Sequence, residues 1–149
     1  FYASNFSIGV NIFFALNKYL AKIMNNFPAY DVKMMETHHI HKLDAPSGTA
    51  IALADSMNEA LDEAYSYKYD RSQERKKRDK YEIGIQAVRG GNIVGEHEVI
   101  FAGTDEVITF KHTAYSKAIF GKGAIEAAKY LAGKPAGFYG MADVIKSAS

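Results

Sequence analysis

The chain has 149 residues, a formal net charge of +1, no cysteine, and 48% hydrophobic against 23% charged residues. This length and balance suit one globular domain with its own core. They exclude a disulfide framework, thiolate zinc sites and a global pull towards nucleic acid or acidic membrane. The longest apolar run, Ile12 to Leu16, is far short of the ~20 residues of a membrane span, and the cysteine-free composition makes a cytoplasmic location the expectation. With no initiator methionine and a start on Phe1-Tyr2-Ala3, the chain reads as a fragment.

Between Gly9 and Phe27, the residues Ile12, Leu16, Tyr19, Leu20, Ile23 and Phe27 recur at helical spacing, with Asn11, Lys18, Lys22 and Asn25 opposite. The spacing predicts an amphipathic helix that buries the first set and stops at Pro28. Tyr30 to Glu36 reads as a strand running into a polar loop. A second helix follows Pro46-Ser47-Gly48, capped by Ser47, with Ala50, Leu53, Ala54, Met57, Ala60, Leu61 and Ala64 inward. Tyr67 to Lys80 carries Arg71, Arg75, Lys76, Lys77, Arg78 and Lys80. This run could contact phosphate, but it reads better as a solvated, mobile loop.

Three strands come next. Glu82 to Arg89 sets Ile83, Ile85 and Ala87 on one side. Asn92 to Ala102 sets Ile93, His97, Val99 and Phe101 against Val94, Glu96, Glu98 and Ile100. Gly90-Gly91 suits a tight hairpin, Gly103-Thr104-Asp105 turns the chain again, and Glu106 to Thr113 completes an antiparallel meander. Because the middle strand is apolar on both faces, the meander is expected at a subunit interface. A third helix covers about Lys117 to Leu131, with Phe120, Ala124, Ala127, Ala128 and Leu131 inward. Its Gly121 and Gly123 each cost up to ~1 kcal/mol relative to Ala, which close packing would explain. A short helix spans Met141 to Lys146. The order predicts an α+β fold over residues 1–149, a mainly antiparallel sheet with helices on one face. No Gly-x-Gly-x-x-Gly motif follows a strand, so a complete nucleotide-binding motif is absent.

Chemistry concentrates between Glu36 and Ala50, which hold three of the five histidines. Ser47-Gly48-Thr49 offers backbone N–H groups and two hydroxyls at the positive end of a helix, where a carboxylate or phosphate fits. An ordinary capped helix has the same sequence, so the anion reading needs company. His38 supplies it with a proton carrier near neutral pH, and Lys42 with a fixed positive charge. A metal site from Glu36, His38, His39, His41 and Asp44 is a rival. Against it, His38 and His39 would point oppositely on a strand, and Lys42 would sit beside the cation. His97 and His112 read as sheet residues.

The segment from Glu36 to Ala50 resembles the signature of dihydrodipicolinate reductases: a glutamate, paired histidines, a further histidine and lysine, then Asp-x-Pro-Ser-Gly-Thr-Ala. Three other stretches are similar to that family: Ala3 to Asn11, Arg89 to His97, and His112 to Ala124 with Met141-x-Asp143-Val144. The resemblance implies a carboxyl-terminal, substrate-binding domain that builds a homotetramer through its sheet, with residues 1–6 joining it to an absent nucleotide-binding domain. It implies reduction of 4-hydroxy-tetrahydrodipicolinate with hydride from NADPH or NADH, in the diaminopimelate route to lysine, and an isolated chain that is inactive. By motif, His38 would be the proton donor and Lys42 its partner. His39, Ser47, Gly48 and Thr49 would hold the substrate carboxylate, Ala3, Ser4, Asn5 and Phe6 would lie beside the nicotinamide, and no metal is implied. Two positions depart: Ile40 stands where arginine is common, and Tyr115-Ser116-Lys117 replaces Ser-Ser-Arg, losing arginine's planar fork. The competing functional classes are a non-catalytic anion-binding or assembly module and a metallohydrolase.

Overall fold

Strand β1 (Asp31–His38) alternates strictly: Val32, Met34, Glu36 and His38 are buried, while Asp31, Lys33 and Met35 face out. The period of two is that of a sheet with one covered face, and a carboxylate and an imidazole stand in phase with the apolar positions. The computed structural model, which describes residues 1–149, places β1 at the centre of a five-stranded sheet of order β2-β3-β1-β4-β5. The other strands are β2 (Ser66–Lys68), β3 (Glu82–Arg89), β4 (Gly95–Ala102) and β5 (Val107–Ala114). β1 pairs antiparallel with β4 and parallel with β3, β4 pairs antiparallel with β5, and β2 pairs parallel with β3.

The α+β class stands, but the local topology differs from the meander. β3 and β4 are not neighbours, because β1 lies between them. Gly91 has the positive φ expected of the turn, +54°, yet Gly90-Gly91 leads across the end of β1 rather than into a hairpin. There Gly90 N–H donates to the His38 carbonyl and Ile40 N–H to the Gly91 carbonyl. The turn thereby fixes the chain as it leaves β1, where the polar cluster begins. Long-range pairing of this kind carries no short-range signal.

Helices α1 (Ile8–Met24) and α2 (Gly48–Asn58) lie on the covered face. Leu53, Ala54 and Met57 of α2 have no exposed surface and pack with Phe13 and Ala21 of α1 on Val32, Met34, Ile83, Ile85, Val99 and Phe101. Burying each larger side chain contributes roughly 1.5–3 kcal/mol. Helix α2 matches its predicted face through Met57. The chain then leaves the helix, and Ala60 and Leu61 pack from the following turn.

The face of α1 is a correction. Val10, Phe13, Asn17 and Ala21 are buried, whereas Ile12, Leu16, Tyr19, Ile23 and Phe27 are exposed. The helix is apolar on two sides, so spacing alone does not choose between them. Small Ala21 permits a close approach to the sheet, and Asn17 stays inside by donating to the Phe13 carbonyl at 2.8 Å.

Helix α3 (Ala118–Leu131) is also rotated from its expected face. Of the residues expected inward it buries Ala127, together with Gly123, and leaves Phe120, Ala124 and Ala128 exposed. Close packing accounts for Gly123, where a Cβ would lie 1.7 Å from the Phe6 carbonyl oxygen, but not for Gly121, which has open space. Helix α4 (Met141–Ser147) closes the chain. No helix is long and apolar enough to cross a membrane.

Candidate functional site

The ends of β1 and β4, the start of α2 and the segment before α1 converge on a pocket of about 500 Å³. Its lining includes Ser4, Asn5, His38, His39, Lys42, Asp44, Ser47, Gly48 and Thr49, with Phe14, Val94, Lys117 and Phe120 among the remaining walls. All six of the anticipated catalytic and substrate-binding residues therefore stand round one cavity. Of the four residues expected near a nicotinamide, Ser4 and Asn5 line it. Ala3 and Phe6 do not; the Phe6 ring stacks on Phe1 at 5.9 Å.

Ser47 caps α2 as predicted, its hydroxyl accepting from Ala50 N–H at 3.1 Å. The same hydroxyl lies 2.9 Å from His97 Nε2, which suits a neutral imidazole accepting the hydroxyl proton. Burial, aided by nearby His38, pushes His97 down to about 4. Asn5 Nδ2 donates to Thr49 Oγ1 at 3.3 Å, tying the amino-terminal segment to this helix.

Lys42 Nζ lies 2.8 Å from Asp44 Oδ1, while Asp44 Oδ2 accepts from Gly48 N–H at 3.2 Å. Lys42, outweighing partial burial, holds the Asp44 carboxyl below its ordinary range, with Gly48 N–H assisting. Thus a carboxylate of the chain itself already bridges the lysine and the helix terminus. The contact is of the kind that the macrodipole argument anticipates at this terminus.

His38 is buried in the pocket wall, with Nδ1 2.5 Å from Glu36 Oε2. Burial lowers its affinity for a proton, Glu36 partly restores it, and Lys42 and Arg89 oppose protonation. Glu36 is itself buried, which would raise its carboxyl, but hydrogen bonds from Arg89, His38 and the Ser47 N–H outweigh burial and hold it low. A Cβ on Gly95 would stand 3.0 Å from His38 Nε2, so glycine there admits the ring.

Sequence reasoning gave Glu36 no role outside a metal site, and Arg89, Gly95 and His97 none at all. The available signal was phase. Glu36 follows Val32 and Met34 on the buried side of β1, and Arg89 follows Ile83 and Ile85 on β3, so two opposite charges share the covered face. The rival metal set is dispersed: Glu36 pairs with His38 inside, while His39 and His41 lie against each other 6.2 Å apart. His39 Nδ1 is shut off from solvent without a partner.

The fold and pocket define a small α+β domain with a basic cavity at a helix terminus, with a carboxylate-oriented histidine at its base. Residues 9–145 match the family described as "Dihydrodipicolinate reductase, C-terminus". The chain is 49% identical over 146 residues to the 4-hydroxy-tetrahydrodipicolinate reductase of Caldanaerobacter subterraneus subsp. tengcongensis, covering 98% of this chain and 57% of that protein. It is 47% identical over 147 residues to the enzyme of Clostridium novyi, covering 99% and 57%. Among solved structures, a dipicolinate-bound dihydrodipicolinate reductase from Paenisporosarcina sp. TG-14 superposes with a TM-score of 0.72 at 27% identity, over 95% of this chain and 52% of that one. The chain belongs to the dihydrodipicolinate reductase family and spans a little over half the length of these relatives.

Proposed function

We propose that this domain binds the substrate and delivers the proton in a 4-hydroxy-tetrahydrodipicolinate reductase, the enzyme yielding tetrahydrodipicolinate in the diaminopimelate route to lysine. The observation that carries this reading is the convergence of His38, Lys42 and the α2 terminus on one pocket. A small ring with two carboxylates suits it: one carboxylate replaces Asp44 at Ser47-Gly48-Thr49, and Lys42 and His39 compensate the remaining charge. The dipicolinate-bound relative supports that ligand class.

His38 Nδ1 faces Glu36, so Nε2 is the nitrogen free to exchange a proton with a ligand. Near neutral pH the buried ring is uncharged. A bound dianion favours its protonated form, so the proton is loaded where it is needed. NADPH or NADH supplies the hydride when bound. Ser4 and Asn5 suit the nicotinamide end of such a cofactor, but no phosphate-binding loop accompanies them, so the isolated chain is expected to be inactive. We further propose a homotetramer assembled on the open face of the sheet, which light scattering would test; a strict monomer would count against it.

The ligand assignment is tested by titrating pyridine-2,6-dicarboxylate while following His38, His39 and Thr49 by NMR. A helix terminus and several charge-assisted bonds are offset largely by ordering and desolvation costs, so weak binding is expected, on the order of 4 kcal/mol or millimolar affinity. Absence of any shift at those residues up to tens of millimolar would overturn the reading. NADPH oxidation by the isolated chain would overturn the expected inactivity.

A further inference from the structure

Glu36 makes four hydrogen bonds although its side chain is only 1% exposed. Oε2 faces His38 Nδ1 at 2.5 Å and accepts from Arg89 Nη1 at 2.9 Å. Oε1 accepts from Arg89 Nη2 at 2.8 Å and from Ser47 N–H at 2.9 Å. Arg89 Nη2 also donates to the Asp44 carbonyl at 2.7 Å. One carboxylate from β1 and one guanidinium from β3 therefore touch the histidine, the anion-binding turn and the loop between them.

A two-point guanidinium contact fixes the plane of a carboxylate, where a lysine would fix only a distance. With that plane fixed, the two oxygens cannot exchange duties. One remains aimed at the imidazole and the other at the cap of α2. An ionised oxygen 2.5 Å from Nδ1 requires the proton on Nδ1, which leaves Nε2 as the exchanging nitrogen.

We propose that Glu36 and Arg89 are positioning residues that hold His38 as its Nδ1–H tautomer and lock its orientation to the Ser47 turn. This inference rests on the reading of His38 as proton donor, but its test does not. The groups facing His38 are Glu36 on its own strand, Arg89 on β3, His97 on β4, and Lys42 and Asp44 from the following loop. The His97 ring stands edge-on to His38, with centroids 5.2 Å apart. Opposite changes to the pair then give opposite signs. Loss of the Glu36 charge removes the strongest attraction that favours the imidazolium. Loss of Arg89 removes a repulsion and leaves the carboxylate to His38 and the Ser47 N–H.

The experiment records the imidazole nitrogens of His38 in the ligand-free 149-residue chain by ¹⁵N NMR across a pH titration. Wild type is expected to show the Nδ1–H form alone when neutral. Glu36→Gln is expected to give a tautomer mixture and a lower titration midpoint, and Arg89→Met a higher one. Arg89→Lys should retain the tautomer while loosening the Ser47 amide, seen as line broadening. General loosening of the site would expose the ring and raise the midpoint in every variant, so a rise in Glu36→Gln overturns the proposal. An Nε2–H form in wild type overturns it without any variant, even if the substitutions prevent folding. Failure of pyridine-2,6-dicarboxylate to bind would sink the ligand reading and leave these spectra unchanged.

Discussion

Two charged segments of this chain look alike in composition and behave differently in the fold. The run from Tyr67 to Lys80 spends most of its charges at or near the surface: Lys68 pairs with Glu74, Lys76 with Asp79 at 3.6 Å, and Arg78 with Asp31 at 2.8 Å, while Arg71 alone reaches a buried carboxylate, Glu82, at 2.5 Å. The segment from Glu36 to Thr49 turns its charges inward, where Glu36, His38 and Arg89 complete one another and Lys42 meets the end of α2. Screening by water makes the first kind of pair worth little, and its absence makes the second kind costly to break. Density of charge is thus a poor guide to function. Charge in phase with a buried apolar face is a better one.

The sharpest way to break this comparison is to remove one carboxylate from each segment. Glu36→Ala leaves a guanidinium and an imidazole unpaired at the edge of the core, so a loss of about 3–5 kcal/mol is expected. Asp79→Ala removes an exposed pair with Lys76 and should cost no more than ~1 kcal/mol. Urea unfolding monitored by circular dichroism would measure both. Equal losses would show that the segments do not differ as described.

Much of the site was legible because its parts are local. The Ser47 cap, the helix after it and the polar loop before it follow from a dozen consecutive residues. The partners of Glu36 were not legible, since Arg89 lies 53 residues away and reaches it only because β1 inserts between β3 and β4. The same insertion turned the predicted hairpin into a crossover. The faces of α1 and α3 failed for another reason. Both helices carry apolar or small residues on more than one side, and which side docks depends on shape, as the contact of Gly123 with Phe6 illustrates.

Acid stability sharpens the comparison, because only the inward segment abuts a histidine withheld from protons. In the unfolded chain His97 takes a proton near pH 6.5; in the fold it stays neutral down to about 4. The unfolded state therefore binds more protons between these values, and stability must fall as pH falls through that window, by up to ~1.4 kcal/mol per pH unit and ~3 kcal/mol in all. His38 and His112, both lowered by burial, add in the same direction. Below the window the contribution of Glu36, whose folded carboxyl is held low, is lost as well. His97→Gln is expected to flatten the dependence by about one proton's worth. An unchanged slope would mean that His97 titrates normally in the fold.

The smallest expected effect lies in the basic run, and its size matters because a silent result is the expected one. Lys76 and Asp79 are more than half exposed and 3.6 Å apart, beyond direct hydrogen-bond reach. At that separation in water their attraction amounts to about 1 kcal/mol before screening, and ordering two flexible side chains offsets most of it. Lys76→Ala should therefore change stability by less than ~0.5 kcal/mol. Arg78→Ala, two residues on, is the internal control. Its guanidinium also donates to the Val32 carbonyl at 3.3 Å and to that of Glu82, fastening the loop to the ends of β1 and β3. Losing those bonds should cost about 1–3 kcal/mol. Denaturation midpoints of the two variants, compared at low and at 1 M salt, would separate them: the Lys76 effect should vanish in salt and the Arg78 effect should largely persist. A large, salt-resistant loss in Lys76→Ala would show that this loop, too, is held by charge the structure places in solvent.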